Sequence, residues 1–141
     1  FLYSIGAKEV LLRNDYLSSV KKPMGKGYWD IAIDVAGGNM LSGLIASMKY
    51  GGIITCCGLV DSPSFTSSVF PFILRGISLA GIDSAEVSIN GKSEIWNNFA
   101  NHWKLDDIQS VSKNVDMHGM MNEINTIFEG RQIGRILLKH K

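Results

Sequence analysis

Two apolar runs set the limits on this chain: Asp30-Ile-Ala-Ile-Asp-Val-Ala-Gly-Gly38 and Tyr50-Gly-Gly-Ile-Ile-Thr-Cys-Cys-Gly58, with a helical stretch between them. Together they read as strand, helix, strand. Each strand is apolar nearly throughout, the pattern of a parallel strand buried on both faces, and each stops at glycine, where a nucleotide can approach the backbone. The Gly-rich phosphate-binding turn that normally opens such a sheet is missing, because no GxGxxG occurs anywhere in the sequence.

The rest of the chain extends the pattern. Leu41, Leu44, Ile45 and Met48 fall at spacings of three, four and seven, a helical face for the sheet that Tyr50-Gly51-Gly52 terminates. Val69–Arg75 has the length of a two-turn helix, with Pro71 in its first turn, where no amide bond is lost. A third apolar strand, Ile77–Ile82, ends at Asp83-Ser84. Upstream, Phe1–Ile5 reads as the last turns of a helix closed by Gly6. Lys8–Leu12 reads as a strand, Asn14-Asp15 as a turn, and residues 21–27 as a basic loop rich in glycine and proline.

Downstream, residues 93–103 form an amphipathic pattern carrying Ile95, Trp96, Phe99 and Trp103. Asp116 is placed to cap a further helix with Met117, Met121, Ile124 and Phe128 on one side and Gly130 at its end. Both stripes are expected in the core. Gly134–Lys139 is a final strand. The fold class expected is α/β, an incomplete Rossmann-type doubly wound parallel sheet with C-terminal helices and a last strand belonging to an adjoining domain. Residues 1–104 would form a partial nucleotide-binding domain lacking its first two strands. Residues 105–141 would form a helical segment and a strand returning toward a substrate domain.

Composition removes several function classes. A chain of 141 residues is long enough to bury about two-thirds of its unfolded surface in one core. A net charge of +1 provides no field for a nucleic acid or a membrane surface. No apolar run approaches the ~20 residues that span a bilayer, and no signal peptide opens the chain, so a cytoplasmic location is expected. Cys56 and Cys57 are adjacent and could pair only through a strained vicinal disulfide, which favours two reduced thiols. His102, His118 and His140 show no ligand spacing with them, and no metal site is expected.

In sheets of this kind ligands bind beyond the carboxyl ends of the strands, here Val35-Ala36-Gly37, Cys57-Gly58-Leu59 and Ile82-Asp83-Ser84. Glycines there either admit a ribose or nicotinamide ring or simply serve turns.

A resemblance favours the first reading. Pro71-Phe-Ile-Leu-Arg-Gly-Ile-Ser-Leu-Ala-Gly-Ile-Asp-Ser84 closely resembles a signature segment of the acrylyl-CoA reductase and quinone-oxidoreductase-like branch of the zinc-independent medium-chain dehydrogenase/reductase superfamily. Leu2–Leu11, Asp30–Gly37, Met48–Leu59 and Ile133–Lys139 are similar, in order, to the join after that family's second strand and to its fourth, fifth and last strands. The likeness covers the whole chain, weakest over 104–129.

What the resemblance implies is an NADPH-linked reductase of conjugated enones, quinones or acrylyl thioesters, working as a homodimer. Ala36 and Gly37 would lie near the adenosine side of the dinucleotide, Cys57, Gly58 and Leu59 near the nicotinamide ribose, and Asp83 and Ser84 near the carboxamide. Arg135 resembles the arginine that reaches the pyrophosphate. No catalytic residue is implied. The family's chain is more than twice as long, so this sequence reads as its rear portion, inert alone and weak in cofactor binding.

Two other readings compete. Asp34-Val-Ala-Gly-Gly38 superficially resembles the first strand of adenosylmethionine-dependent methyltransferases, although the next strand lacks that family's terminal acid. A non-catalytic module is the other: in the resembled family the strand around Ile77–Ile82 commonly pairs across a dimer, and uncovered sheet edges favour self-association.

Overall fold

The computed structural model describes residues 1–104 and 108–140. They fall into two compact units, one made of Gly6–Val87 with Leu2, the other running from Ser88 onward with Phe1 and Tyr3–Ile5. The domain boundary expected at 104/105 abuts residues outside the described set.

The first unit is built on three parallel strands, β1 (Trp29–Asp34), β2 (Met48–Cys56) and β3 (Ser78–Gly81), side by side in that order. Ile33 sits opposite Thr55, and Ile54 opposite Leu79, so the three apolar runs share one sheet and one direction. Helix α1 (Arg13–Ser19) packs on α2 (Gly38–Ser47), which lies on β1 and β2, while α3 (Phe70–Arg75) lies on β2. Their apolar faces close a core of Leu41, Ile45, Met48, Ile54 and Ile77, with Trp29, Ala32, Phe72 and Leu79 packed around it. Each fully buried aliphatic side chain in this set contributes about 2 kcal/mol by leaving water.

The opposite face of the sheet is open. Side chains alternate along a strand, so Ala32 and Asp34 turn toward α2 while Ile31 and Ile33 stand 74% and 72% exposed on the other side, joined by Ile53 and Ala80. The expectation of strands buried on both faces is therefore corrected to burial on one. An apolar strand signals the capacity for two-sided burial; it does not supply the second cover.

Several boundaries also move. The 41–48 helix stops at Ser47, and Met48, expected on its face, instead opens β2. Register against β1 jumps between Trp29 and Ile31, where Gly51 adopts φ 71°, so Tyr50-Gly51-Gly52 forms a bulge inside the strand and does not end a helix. Asn14 and Asp15, expected in a turn, lie in the first turn of α1, where Asp15 suits the positive end of the helix dipole. Lys8–Leu12 carries no strand, because a strand needs a ladder and the described sheet begins at β1. The opening helix is a single 3₁₀ turn, Tyr3–Ile5, with Gly6 at φ 102° after it. The two-turn helix at Phe70–Arg75, with Pro71 near its start, forms as expected.

The second unit holds α4 (Ile89–Ala100) and a compact β4–α5–β5 arrangement: β4 (Ser112–Val115), α5 (Met117–Phe128) and β5 (Arg135–Leu138), the two strands parallel with Ser112 opposite Arg135. Helix α4 starts four residues before the expected Ser93, because Ser88 caps it by accepting the Gly91 amide at 3.2 Å. Asp116 caps α5 as expected, accepting from the Gly119 amide at 2.9 Å, and Gly130 closes it. Neither helix buries its stripe. Trp96, Phe99 and Trp103 remain exposed and stack on one another at 6.0 and 5.6 Å, and α5 turns Met120, Glu123 and Ile124 inward while Met117, Met121 and Phe128 face solvent. The expected core roles are corrected accordingly: with Met120 taking the place next to Met121, the packed face is rotated from the predicted one. Strand β4 lies where the sequence pattern gave no signal, being short and polar in three of four positions.

Candidate functional site at the carboxyl ends of the parallel strands

β1, β2 and β3 run in the same direction, so their carboxyl ends meet on one edge of the first unit. Chain exits there are pinned by hydrogen bonds from one strand's follow-on segment to the next. The Cys57 amide donates to the Asp34 carbonyl at 3.0 Å, the Asp61 amide to the Ala36 carbonyl at 2.8 Å, and the Ile82 amide to the Cys56 carbonyl at 2.9 Å. Ala36, Gly37, Cys57, Gly58 and Leu59 are thus brought together, with Asp83 and Ser84 beyond the next strand. Arg135 belongs to the second unit, exposed at the start of β5.

The two glycines are fixed by the chain itself. A Cβ on Gly58 would lie 2.3 Å from the Val35 carbonyl oxygen, and one on Gly37, at φ 69°, would lie 2.2 Å from the Ser62 carbonyl oxygen. They serve the crossing of strand exits, and they leave a backbone-lined surface beside exposed Cys57 and Leu59. Asp83 is committed locally, its Oδ1 accepting the amides of Ala85 and Glu86 at 3.0 Å each. That turn presents Ser84 to solvent.

Beneath this edge lies a residue that the site reading passed over. Asp34 is 2% exposed and accepts the amides of Ala36 and Gly37 at 3.0–3.3 Å and the Cys56 thiol at 3.5 Å. Burial pushes the Cys56 thiol above its ordinary range, and the adjoining Asp34 carboxylate adds to the shift. An inward, fully engaged Asp34 does not present itself to a ligand, which removes the basis of the methyltransferase reading.

Arg75 is the second residue passed over. Its guanidinium reaches from the end of α3 to the carbonyls of Met48, at 2.7 Å, Ala46, at 3.4 Å, and Gly25. The amides of Gly25 and Tyr28 donate to Ala46 and Ser47. Together these donors satisfy the carbonyl end of α2 that a helix otherwise leaves open. Arg75 had no local signal, since its partners lie more than twenty residues away, and for Asp34 the same holds of the Cys56 thiol.

For a dinucleotide, the residues present match one end. Small groups, exposed backbone and Ser84 suit a ribose and a carboxamide, whereas in the turn from β1 to α2 the amides of Ala36 and Gly37 are held by Asp34 and are not offered to a pyrophosphate. Among the described residues no three ligands gather for a metal ion, and no helix is long and apolar enough to cross a membrane.

No family model matches the chain. Individual proteins do. It is 31% identical over 140 residues to Bacillus subtilis YhfP, named as a quinone oxidoreductase, and 28% identical over 138 residues to the Ruegeria pomeroyi acrylyl-CoA reductase AcuI. Each alignment takes in 98–99% of this chain and 42% of the relative, so the chain spans less than half the length of the proteins it matches. The crystal structure of YhfP with NAD bound superposes with a TM-score of 0.88, covering 99% of this chain and 43% of that one. Escherichia coli YhdH with NADPH bound superposes with a TM-score of 0.86 at 29% identity, covering 98% and 42%. Sequence and fold agree along the whole stretch: from end to end the chain is similar to under half of proteins named as quinone oxidoreductase and acrylyl-CoA reductase, and to structures that hold NAD or NADPH.

Proposed function

We propose that this chain forms the nicotinamide-holding part of a cytoplasmic, zinc-independent, NADPH-linked oxidoreductase that reduces the conjugated double bond of an acrylyl thioester, quinone or enone. One observation carries the reading: near-complete superposition, at 29–31% identity, on proteins crystallised with NADPH or NAD. When bound, the dinucleotide supplies a hydride for the β-carbon of the acceptor. The chain's part is to hold and orient. Gly58 and Leu59 beside Cys57 would receive the nicotinamide ribose, Asp83 and Ser84 the carboxamide, and Ala36 and Gly37 the adenosine side. Arg135 would bring a charged fork to the pyrophosphate. The division into a partial nucleotide-binding domain over 1–104 and a segment over 105–141 that returns toward a substrate domain belongs to the same proposal, as does a homodimer.

Fluorescence titration with NADPH tests it. The 141-residue chain alone is expected to show no saturation below roughly 1 mM, since it has no phosphate cradle. Micromolar binding would show that cradle to be dispensable. In a longer protein that carries this stretch and turns over an acrylyl thioester or quinone, Arg135→Gln is expected to weaken NADPH about tenfold, and an unchanged affinity would remove Arg135 from the site.

A further inference from the structure

Two adjacent thiols close β2, and the fold treats them differently. Cys56 is half-buried, and its S–H points to the Oδ2 of buried Asp34 at 3.5 Å. Cys57 is exposed, and its S–H meets the main-chain carbonyl of the same Asp34 at 3.4 Å, an acceptor already used by the Cys57 amide. Ionising Cys56 would set a thiolate against a carboxylate inside the protein. The Cys57 sulfur stands at the surface and meets only a neutral oxygen that keeps another donor. Beside Cys57, Gly58 has no side chain to shield it, and Val35 and Leu59 are exposed.

We propose that this Asp34–Cys56–Cys57 cluster is a covalent modification site for electron-poor alkenes conjugated to a carbonyl, with Cys57 the nucleophile and Cys56 held out of the chemistry by Asp34. The Cys57 sulfur forms a bond to the alkene β-carbon. The π pair moves through the α-carbon to the carbonyl as an enolate, and the α-carbon then takes a proton from water, replacing the one lost by the thiol. The net change is addition of S–H across the double bond, with no oxidant or reductant consumed. The choice of electrophile rests on the proposed function, because the acceptors to be reduced are the same class that alkylates thiols. On that reading Cys57 borders the nicotinamide ribose, so the adduct and the dinucleotide exclude one another, and substrate arriving before reduced cofactor caps the site.

Mass spectrometry after exposure to methyl vinyl ketone or N-ethylmaleimide near neutral pH decides the matter. The native chain is expected to gain one adduct, mapped to Cys57, with Cys56 at least about tenfold slower. Equal labelling, labelling of Cys56 first, or a native Cys57 inert under conditions that alkylate both thiols of the unfolded chain would overturn the proposal. Cys57→Ser is expected to abolish the fast adduct, and Asp34→Asn, where the fold survives, to bring Cys56 toward the Cys57 rate. A longer, NADPH-binding protein containing this stretch separates the two claims. There NADPH is expected to slow the Cys57 adduct about tenfold, whereas selective alkylation without protection keeps the thiol assignment and overturns the cofactor placement.

Discussion

Asp34 spends its whole carboxylate on its own chain: both oxygens accept amides of the turn that follows β1, and one also takes the Cys56 thiol. The arrangement has a pH signature. Cys56 ionises less readily in the fold than its ordinary value of 9.0, so above that pH the unfolded chain loses its proton first and the native state is progressively disfavoured. Stability from this thiol is complete below 9.0 and declines as pH climbs from there toward the raised folded value. Urea titrations between neutral and alkaline pH are expected to show that decline, and Cys56→Ser is expected to flatten part of it; an identical slope in the variant would refute the assignment. At this scale the sequence was legible where a residue acts on close neighbours. Asp116 could be read as a cap and Pro71 as a first-turn residue, since their partners lie within four positions. Arg75 was not legible in its actual role, because the carbonyls it holds come from distant parts of the chain, and Asp34 only in part, because its burial and its Cys56 partner depend on the neighbouring strand even though its amide partners lie within three positions.

Elements show the same division between local and tertiary causes. Helix α2 was visible from its apolar spacing, but its end was not. Met48 fits the helical period equally well, and what stops the helix at Ser47 is a set of donors from elsewhere: the Gly25 and Tyr28 amides and the Arg75 guanidinium. Arg75→Ala strands the carbonyls it serves and is expected to destabilise the first unit by about 1–3 kcal/mol, measured by denaturant unfolding. Arg75→Lys should recover only part of the loss, since one ammonium cannot reproduce a fork that spans three acceptors. Full recovery would mean that charge near the helix end, and not the geometry of the fork, is what matters. In the second unit the apolar stripes of α4 and α5 were read correctly as helical but assigned to a core. Periodicity gives the face that seeks burial; which face is buried depends on the neighbour. α5 packs on β4 and β5 with Met120 and Ile124 half-buried and leaves Met117, Met121 and Phe128 outside.

For the whole molecule, the parallel order of β1, β2 and β3 was legible because three apolar runs, each ending in small residues and separated by helix-length segments, have few other arrangements. The open face was not, since composition cannot say whether a second layer exists. Ile31 and Ile33 on β1 and Ile53 on β2 form an exposed apolar surface, and β1 is paired on one side among the described residues. Such surfaces associate. Light scattering over a concentration series is expected to give a mass that rises above one chain, and Ile31→Lys with Ile33→Lys to lower it; a wild-type monomer at every concentration would contradict the argument. The meeting of the strands' carboxyl ends, where the candidate site is proposed, was legible, while the burial of Asp34 beneath it was not.

The exits of β1 and β2 hold one more consequence. At Gly58 the obstacle to any larger residue is the Val35 main chain, and at Gly37 it is the Ser62 main chain. Side-chain crowding can be relieved by trimming the neighbour, but every amino acid carries the same carbonyl. No second mutation at Val35 or Ser62 can therefore make room, and a larger residue at either position requires the main chain itself to move.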